Sequence, residues 1–562
     1  MERYKLSEFY LNKDNNLFLA PVLSKFNYTD GEKIEKRIYY KIKNSKDLSI
    51  FSRELISNIN DWPSEYHFSP LRHNLLRHYN FKQTDNVLEL GCGCGAITRQ
   101  LGESKANVTS IEGSLFRAKC AAERCRDLAN VKVYCSNFQD ILLTPEYDYV
   151  TLIGVLEYSS VFFVGDKPFN QCIEIAKSAL KKNGKLIIAI ENRLGLKYFL
   201  GYSEDHTGMP YSGLQDFYQK NTAYTFGKSE ITDLLAQNGF VNINFAYPFP
   251  DYKLPITVIF ESAFISNGFS PSNLISATNS RDYSRPYKHL PLEYFFWKQL
   301  EKNNLISDLS NSFLIETSLS SISIDQNLIA KYYTVDRKRQ YNVATSFIKD
   351  GDQIKVVKEN IEKISDNYNY KLIQILKEEK YSEGENLDYF IHKAIAINEL
   401  LEFIELLKLW IDFLVTNSIL KKNESNIFLS ITKHNFIDYL PNNIIVKNKK
   451  LQVIDTEWIY SGSCTLYSLI LRYLSELDLK KITKKIAGKG NPYSKLFKYL
   501  GIKYKKKYYK DFLKMENEIN LTVSDDCTEK IRGNYGNLYE VKLKLKEAIK
   551  KIIKLQFIKT IK

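Results

Sequence analysis

Residues 87–102 read VLELGCGCGAITRQLG: an apolar run, three glycines at every second position, then a helix-forming stretch. Alternating glycines after a strand let the backbone turn tightly and approach a ligand without Cβ atoms in the way, and the following helix aims free N–H groups and its positive end at that ligand. The spacing predicts a nucleotide-type site at Gly91, Gly93 and Gly95 and does not say which nucleotide. Gly91, Gly93 and Ala96 also fit the dinucleotide pattern G-x-G-x-x-G/A, and Glu112 lies about 20 residues on, where a carboxylate binds ribose hydroxyls. A nicotinamide dinucleotide therefore stands as an alternative. Glu89 weighs against it, because an acidic side chain directly before the glycines repels a pyrophosphate and suits a ligand with an ammonium group.

Five pieces in order, VLELGCGCG, SIEGS, SNFQD, YDYVTLIGVLEYSS and LKKNGKLIIAIEN, resemble the motifs of class I S-adenosylmethionine-dependent methyltransferases. That nucleoside carries an ammonium group and no phosphate. The resemblance implies that Glu89, Gly91, Gly93 and Gly95 lie beside its methionine part, Glu112 holds the ribose, Asn137 and Phe138 contact the adenine, and Gly154 lines the floor near the sulfonium. The plainer alternative makes the glycines simple turns and Glu112 a solvated carboxylate. Methyl transfer from a sulfonium is in line, and its barrier falls mainly through alignment of the reactants. A hydroxyl acceptor also needs a base, for which a neutral imidazole is suited. His206, in the insertion GYSEDHTGMPYSG after the fifth strand, is the candidate base with Asp205 as its orienter; the alternative is a structural or exposed histidine. A phosphate or carboxylate acceptor needs no base. His67, His73 and His78 can form a lid or simply pack, and YPFPDYKLP (247–255) suits a rigid buried turn as well as a site.

These residues need a frame. Short β-branched runs at 87–90, 108–111, 148–153 and 185–190 alternate with helix-length stretches, which predicts an α/β, Rossmann-like doubly wound sheet over 62–265. At 562 residues the chain exceeds one core, so further domains are expected: an accessory region at 1–61, a Ser/Asn/Gly/Pro-dense linker at 266–290, a second domain at 291–480 and a basic helical region at 481–562. The net charge of +14 fits nucleic acid, an anionic membrane surface or phosphorylated substrates, or else reflects only the Lys enrichment of a chain also rich in Asn, Ile and Tyr, and no motif for specific nucleic-acid binding accompanies it. Eight cysteines without zinc spacing read as reduced buried thiols. No secretory apolar segment opens the sequence and no apolar run approaches ~18 residues, so a cytoplasmic location is expected.

In HNFIDYLPNNIIVKNKKLQVIDTEW (434–458), Asp438 and Asn443 are spaced D-x-x-x-x-N and a second strand ends at Asp455. Phosphoryl transfer of the kinase type uses such a set: a carboxylate by the acceptor hydroxyl, with an amide and a second carboxylate on the metal-bound phosphates. The segment resembles protein-kinase-like and aminoglycoside-phosphotransferase-like folds, which implies Asp438 as catalytic residue, Asn443 and Asp455 as magnesium ligands and Lys358 of QIKVVKE on the phosphates of ATP. It departs from them in lacking a glycine-rich phosphate loop, in Thr-Glu-Trp after Asp455 and in Ile437 before Asp438. The alternatives are a degenerate fold used for binding and a chance match of spacing.

A methyltransferase joined to a kinase-like domain resembles the enzymes that cap bacterial O-antigen chains. The resemblance implies O-methylation of a bacterial surface glycan or its lipid-linked precursor, with glycosyltransferases as partners. The last segment, VKLKLKEAIKKIIKLQFIKTIK (541–562), patterns as a basic amphipathic helix, fit to lie on an anionic membrane or to pack on the domain. A non-catalytic assembly protein and an RNA or protein methyltransferase are the rival functions.

Overall fold

The computed structural model describes residues 3–23, 31–276, 278–283, 293–321, 326–364, 371–417, 436–462, 464–477, 492–502 and 506–532. Segment 541–562 lies outside them. Strands β1 (Tyr10–Asn12), β2 (Leu17–Leu19), β3 (Asn86–Leu90), β4 (Asn107–Glu112), β5 (Val131–Cys135), β6 (Tyr147–Ile153), β7 (Leu180–Glu191), β8 (Asn242–Phe249), β9 (Thr257–Phe260), β10 (Ser312–Ser318), β11 (Leu328–Thr334), β12 (Val343–Asp350), β13 (Gln353–Asn360), β14 (Leu372–Gln374) and β15 (Glu378–Lys380) are followed by four short ones. These are β16 (Glu385–Asn386), β17 (Ile444–Lys447), β18 (Lys450–Val453) and β19 (Trp458–Tyr460).

Fourteen strands join in one sheet, ordered β1-β2-β5-β4-β3-β6-β7-β10-β8-β9-β11-β12-β13-β15. The run β2-β5-β4-β3-β6-β7 is parallel. Parallel strands with helices on both faces bury both rows of side chains, so they are continuously apolar. Leu186 through Ile190 on β7 show this, each fully buried. Two apolar layers cover the two faces: one contains Leu88, Leu90, Val150 and Leu152, the other Val87, Val108, Ile187 and Ala189.

The strand order reverses between β3 and β6, and in open α/β sheets ligands bind at such a point, outside the carboxyl ends of the strands. Helix Ala96–Glu103 starts at Gly95 directly after β3, and Ser114 caps helix Leu115–Arg124 by accepting from Arg117 N–H. Both helix starts therefore face the carboxyl edge.

The sheet draws on both sides of the stretch 266–290 expected to be a linker. β10 lies antiparallel between β7 and β8, with Ile315 opposite Ile188 and Phe245. Within the stretch, Pro271–Ile275 is helical, and Arg281 forms an ion pair with Glu65 at 2.5 Å. The sheet also runs on antiparallel from β9 through β11, β12, β13 and β15, so the first strands of the expected second domain extend the first sheet. β17 pairs with β16 and β18, β14 pairs with β19, and a third core gathers helices Leu387–Ala396, Leu400–Asn417, Leu466–Glu476 and Lys506–Val523. Near its far end the described chain returns to the N-terminal region: Arg53 pairs with Asp525 at 2.5 Å, and Lys530 Nζ donates to the Ile59 carbonyl. All eight cysteines are buried and none is in a disulfide. Among the described residues no helix is long and apolar enough to cross a membrane.

Candidate active site

A cavity of about 420 Å³ opens at the carboxyl edge, lined at one end by Gly91, Glu112, Asn137, Phe138 and Gly154. Gly91 and Gly154 follow β3 and β6 with φ of +76° and +69°, a left-handed conformation that glycine adopts without strain. A Cβ on Gly91 would stand 2.6 Å from Val155 Cγ2, and one on Gly154 would stand 2.8 Å from the Tyr252 hydroxyl. Bare backbone is thus what keeps the two strand ends together here.

Glu112 ends β4 with its side chain buried at the cavity wall. One carboxylate oxygen accepts from Gly93 N–H at 2.8 Å and the other from Ser114 N–H at 2.9 Å, which ties the glycine loop to the next loop. Burial pushes its carboxyl above the usual range, against the pull of Arg117 and these two amides. Asn137 and Phe138 follow β5, and Phe138 packs on Phe163 with ring centroids 5.8 Å apart.

Glu89 and two of the glycines stand elsewhere. Glu89 points inward from β3, accepting from Thr98 Oγ1 at 2.6 Å and Ser110 Oγ at 2.8 Å, and it does not line the cavity. Burial lifts its carboxyl to about 7. The alternation of the strand turns it toward the helix, so it supports the loop from behind instead of facing a ligand. Gly93 and Gly95 shape the loop: Cβ atoms there would meet Arg117 and the Ala121 backbone.

The other end of the cavity is lined by Glu157, Glu191, Asp205, His206, Tyr252 and Lys253, with Trp62, Tyr66, Tyr158 and Tyr283 as aromatic walls. His206 is here, but Asp205 does not orient it: Asp205 pairs with Lys197 at 2.5 Å, with Lys253 at 2.9 Å and with the Tyr198 hydroxyl. Adjacent residues of an irregular loop send their side chains different ways. The carboxylate facing His206 belongs to Glu191, whose Oε2 lies 3.4 Å from Nε2, while the Tyr158 hydroxyl lies 3.3 Å from Nδ1. Burial alone would depress this imidazole, yet Glu191, with Glu204 and Glu157, lifts it to about 9. That corrects the expected neutral base, since a group titrating there is protonated at neutral pH. Glu157 is pushed up to about 8 by burial and by Glu191, whereas Lys197 and Lys253 overcome burial to hold Asp205 at about 2.

Glu157, Glu191 and Lys253 stood inside GVLEYSS, LKKNGKLIIAIEN and YPFPDYKLP without an assigned role. The last of these holds the cis peptide Phe249–Pro250. His67 lines the cavity; His73 and His78 are buried away from it.

The residues of the second expected site also meet. Lys358 on β13 forms an ion pair with Asp455, which follows β18 with φ of +56°. Asn443 Nδ2 donates to the Asp438 carbonyl at 3.0 Å. Asp438 is buried, and one of its carboxylate oxygens accepts the N–H groups of Glu457 at 2.8 Å and Trp458 at 2.7 Å. It clasps the start of β19, which leaves that oxygen closed to an acceptor hydroxyl.

Residues 81–239 match the methyltransferase-domain family. This part of the chain is a class I methyltransferase domain. An 86-residue stretch is 33% identical to the malonyl-[acyl-carrier protein] O-methyltransferase of Bacillus anthracis, covering 14% of this chain and 32% of that one, so the chain spans about a third of that curated relative. Among solved structures, a Haemonchus contortus phosphoethanolamine N-methyltransferase bound to S-adenosyl-L-methionine is 17% identical, with a TM-score of 0.29 over 50% of this chain and 60% of that one. A Thermotoga maritima S-adenosylmethionine-dependent methyltransferase is also 17% identical, with a TM-score of 0.27 over 46% of this chain and 92% of that one. The methyltransferase domain holds the glycine loop, Glu112, Asn137, Phe138, Gly154, Glu157, Glu191 and His206. Trp62, Lys253 and Tyr283 lie outside the matched residues yet wall the same cavity.

Proposed function

We propose that this chain methylates a hydroxyl of a polyhydroxylated acceptor, a bacterial surface glycan or its lipid-linked precursor, with S-adenosylmethionine as methyl donor. The observation that carries the reading is one cavity with two unlike ends: a buried carboxylate with asparagine and phenylalanine at one, carboxylates and aromatic faces at the other, and glycine backbone between. The donor fits the first end because Glu112 accepts hydroxyl hydrogen bonds and because the bare strand ends at Gly91 and Gly154 let a ligand approach the backbone. When bound, its sulfonium would supply the methyl carbon to the acceptor oxygen, the C–S electron pair going to sulfur and the hydroxyl proton to water.

The chain's own residues do the rest. Carboxylates accept hydroxyl hydrogen bonds, and Trp62 and Tyr283, packed on each other with ring centroids 3.9 Å apart and planes tilted by 32°, give an aromatic edge to the wall for the apolar face of a sugar ring. A test incubates the full chain with methyl-tritiated donor and a panel of free sugars, polyprenyl-linked saccharides, amines and carboxylic acids. Label in a saccharide, stable to alkali as an ether, is expected; label only in amines or esters contradicts the reading, and donor binding without transfer to any acceptor makes the chain an assembly protein.

For residues 291–480 we infer a kinase-like lobe that binds ATP and magnesium. The supporting observation is the Lys358–Asp455 ion pair, with Asn443 held by the Asp438 backbone. Titration of the full chain with ATP and magnesium tests it, with Lys358→Met expected to weaken binding; equal heats for both chains would contradict it. Segment 541–562 belongs to the same reading as a contact with anionic membrane beside glycosyltransferases, which cosedimentation of the full chain and a chain ending at 540 with anionic vesicles would test.

A further inference from the structure

The acceptor end of the cavity contains a convergence that the donor site does not use. Glu157 lies on the turn after β6, Glu191 is the last residue of β7, and His206 is in the loop beyond. One donor atom from each can be chosen so that all lie within 4.8 Å of one another. Both carboxylates are fully buried, and the His206 side chain is 9% exposed.

These atoms face one another, and only Glu191 Oε2 and His206 Nε2 come within ion-pair distance, at 3.4 Å. Both oxygens of Glu157, Oε2 of Glu191 and Nε2 of His206 have no hydrogen-bond partner. A carboxyl group buried with neither oxygen satisfied is costly in either protonation state, and native structures rarely keep one unless something occupies the space in front of it. The outer atoms of Glu191 and His206, by contrast, are engaged. Glu191 Oε1 pairs with Lys253, His206 Nδ1 faces the Tyr158 hydroxyl, and Glu204 Oε2 fixes the His206 backbone by accepting its N–H at 2.9 Å. Inner atoms without hydrogen bonds beside held outer atoms are the pattern of metal ligands with their supporting shell, and an ion binding there displaces the protons that Glu157 and His206 carry at neutral pH.

We propose that Glu157, Glu191 and His206 bind a divalent transition-metal ion at the acceptor end of this cavity. Two carboxylates and an imidazole suit manganese, iron or zinc, whereas calcium prefers oxygen alone. Bound at about 2.1 Å, such an ion draws its donors closer than they now stand, a movement of side-chain size. The open side of the ion faces the cavity, where an acceptor hydroxyl takes a coordination position. Bound there, a hydroxyl loses its proton to water more readily, as metal-bound water does, so the acceptor acquires anionic character without a neutral imidazole. This last step rests on the proposed methyl transfer; occupation of the site by an ion does not.

The test is metal binding measured on the full chain, freed of metal by chelator, with manganese followed by the electron paramagnetic resonance of the free ion. S-adenosylmethionine binding is titrated in parallel. Wild type is expected to remove one manganese ion per chain from solution, with Glu157→Gln and His206→Gln each weakening binding at least ~10-fold while S-adenosylmethionine still binds. Wild type that leaves manganese free up to about 1 mM overturns the proposal, as does manganese binding that neither substitution changes. Manganese bound at this site by a chain that fails to bind S-adenosylmethionine removes the methyl-transfer reading and leaves the ion site standing. The wild-type measurement decides even where a variant does not fold.

Discussion

Glu112→Gln separates a ribose-binding carboxylate from a merely structural one. In the wild type each carboxylate oxygen serves one backbone donor, Gly93 N–H at 2.8 Å and Ser114 N–H at 2.9 Å, in a side chain with 4% exposure. An amide has one oxygen, so one of the two N–H groups faces an NH2 group and loses its partner. A buried unpaired N–H costs about 1–3 kcal/mol, and hydrogen bonds to a charged acceptor contribute about 1.5–3 kcal/mol. Burial already lifts the Glu112 carboxyl above its ordinary pKa, so removing the charge returns part of the loss, and a fall in stability near the lower figure, about 1 kcal/mol, is expected. Ligand affinity bears a separate loss, because hydroxyls that donate to a carboxylate are then offered an amide. One such bond weakened by about 1.4–2.8 kcal/mol is 10- to 100-fold in Kd. Isothermal titration measures this for S-adenosylmethionine and S-adenosylhomocysteine, which share the ribose and differ in the sulfur charge. Equal losses for both ligands are expected. Affinities within about twofold of wild type would refute the ribose assignment, and a loss confined to the charged ligand would show that Glu112 acts on the sulfonium instead.

Three other perturbations follow from the same geometry. Gly91→Ala places a Cβ 2.6 Å from Val155 at φ +76° and should abolish donor binding, whereas Gly351→Ala, at φ +60° with nothing within 4 Å of its Cβ, should cost about 1 kcal/mol in denaturant melts and leave donor binding alone; equal effects of the two on binding would remove the bare-backbone argument. Glu89 is an acid whose folded pKa, about 7, lies above its unfolded value, so its contribution is most favourable below pH 4.5 and is lost as pH rises to 7; Glu89→Gln should therefore gain stability relative to wild type between pH 5 and pH 8, by up to about 3 kcal/mol, and a difference that does not vary with pH would contradict the burial argument. Asp438→Ala strips the acceptor from two buried N–H groups and should destabilise by about 2–5 kcal/mol, while Asp438→Asn, whose oxygen can still take both, should stay near wild type; comparable melts for the two variants would show that the clasp on β19 is unimportant.

That Gly91, Glu112, Asn137, Phe138 and Gly154 lie together was legible because they are written in short contiguous pieces at the carboxyl ends of successive strands, where type and spacing coincide with geometry. The other end was legible only in His206 and Asp205. Glu157, Glu191, His206 and Lys253 come from four segments joined only by long-range packing, and no spacing rule links them. Asp205 shows the limit of sequence adjacency: next to His206 in the chain, its carboxylate is taken by Lys197, Tyr198 and Lys253, and Glu191 replaces it. Glu89 shows the limit of motif reading, since strand alternation turned an acidic residue of the right position inward, onto Thr98 and Ser110. The stretch 266–290 is dense in serine and asparagine and reads as a spacer, yet Arg281 is anchored by Glu65, and β10 beyond it enters the centre of the sheet. A strand inserted from a distance leaves no local trace. Lys358 and Asp455, 97 residues apart, were given separate roles by a resemblance to kinase-like folds, and their ion pair is not something that spacing could show.

The central claim is that one cavity seats the methyl donor against Glu112 and presents its sulfur to the wall formed by Glu157, Glu191 and His206. A crystal structure of the full chain with S-adenosylhomocysteine tests it directly. The ribose hydroxyls should bond to Glu112, the adenine should lie against Asn137 and Phe138, and the sulfur should sit by Gly154. A nucleoside bound anywhere else, or in this cavity with its sulfur turned away from Glu157, would contradict the account.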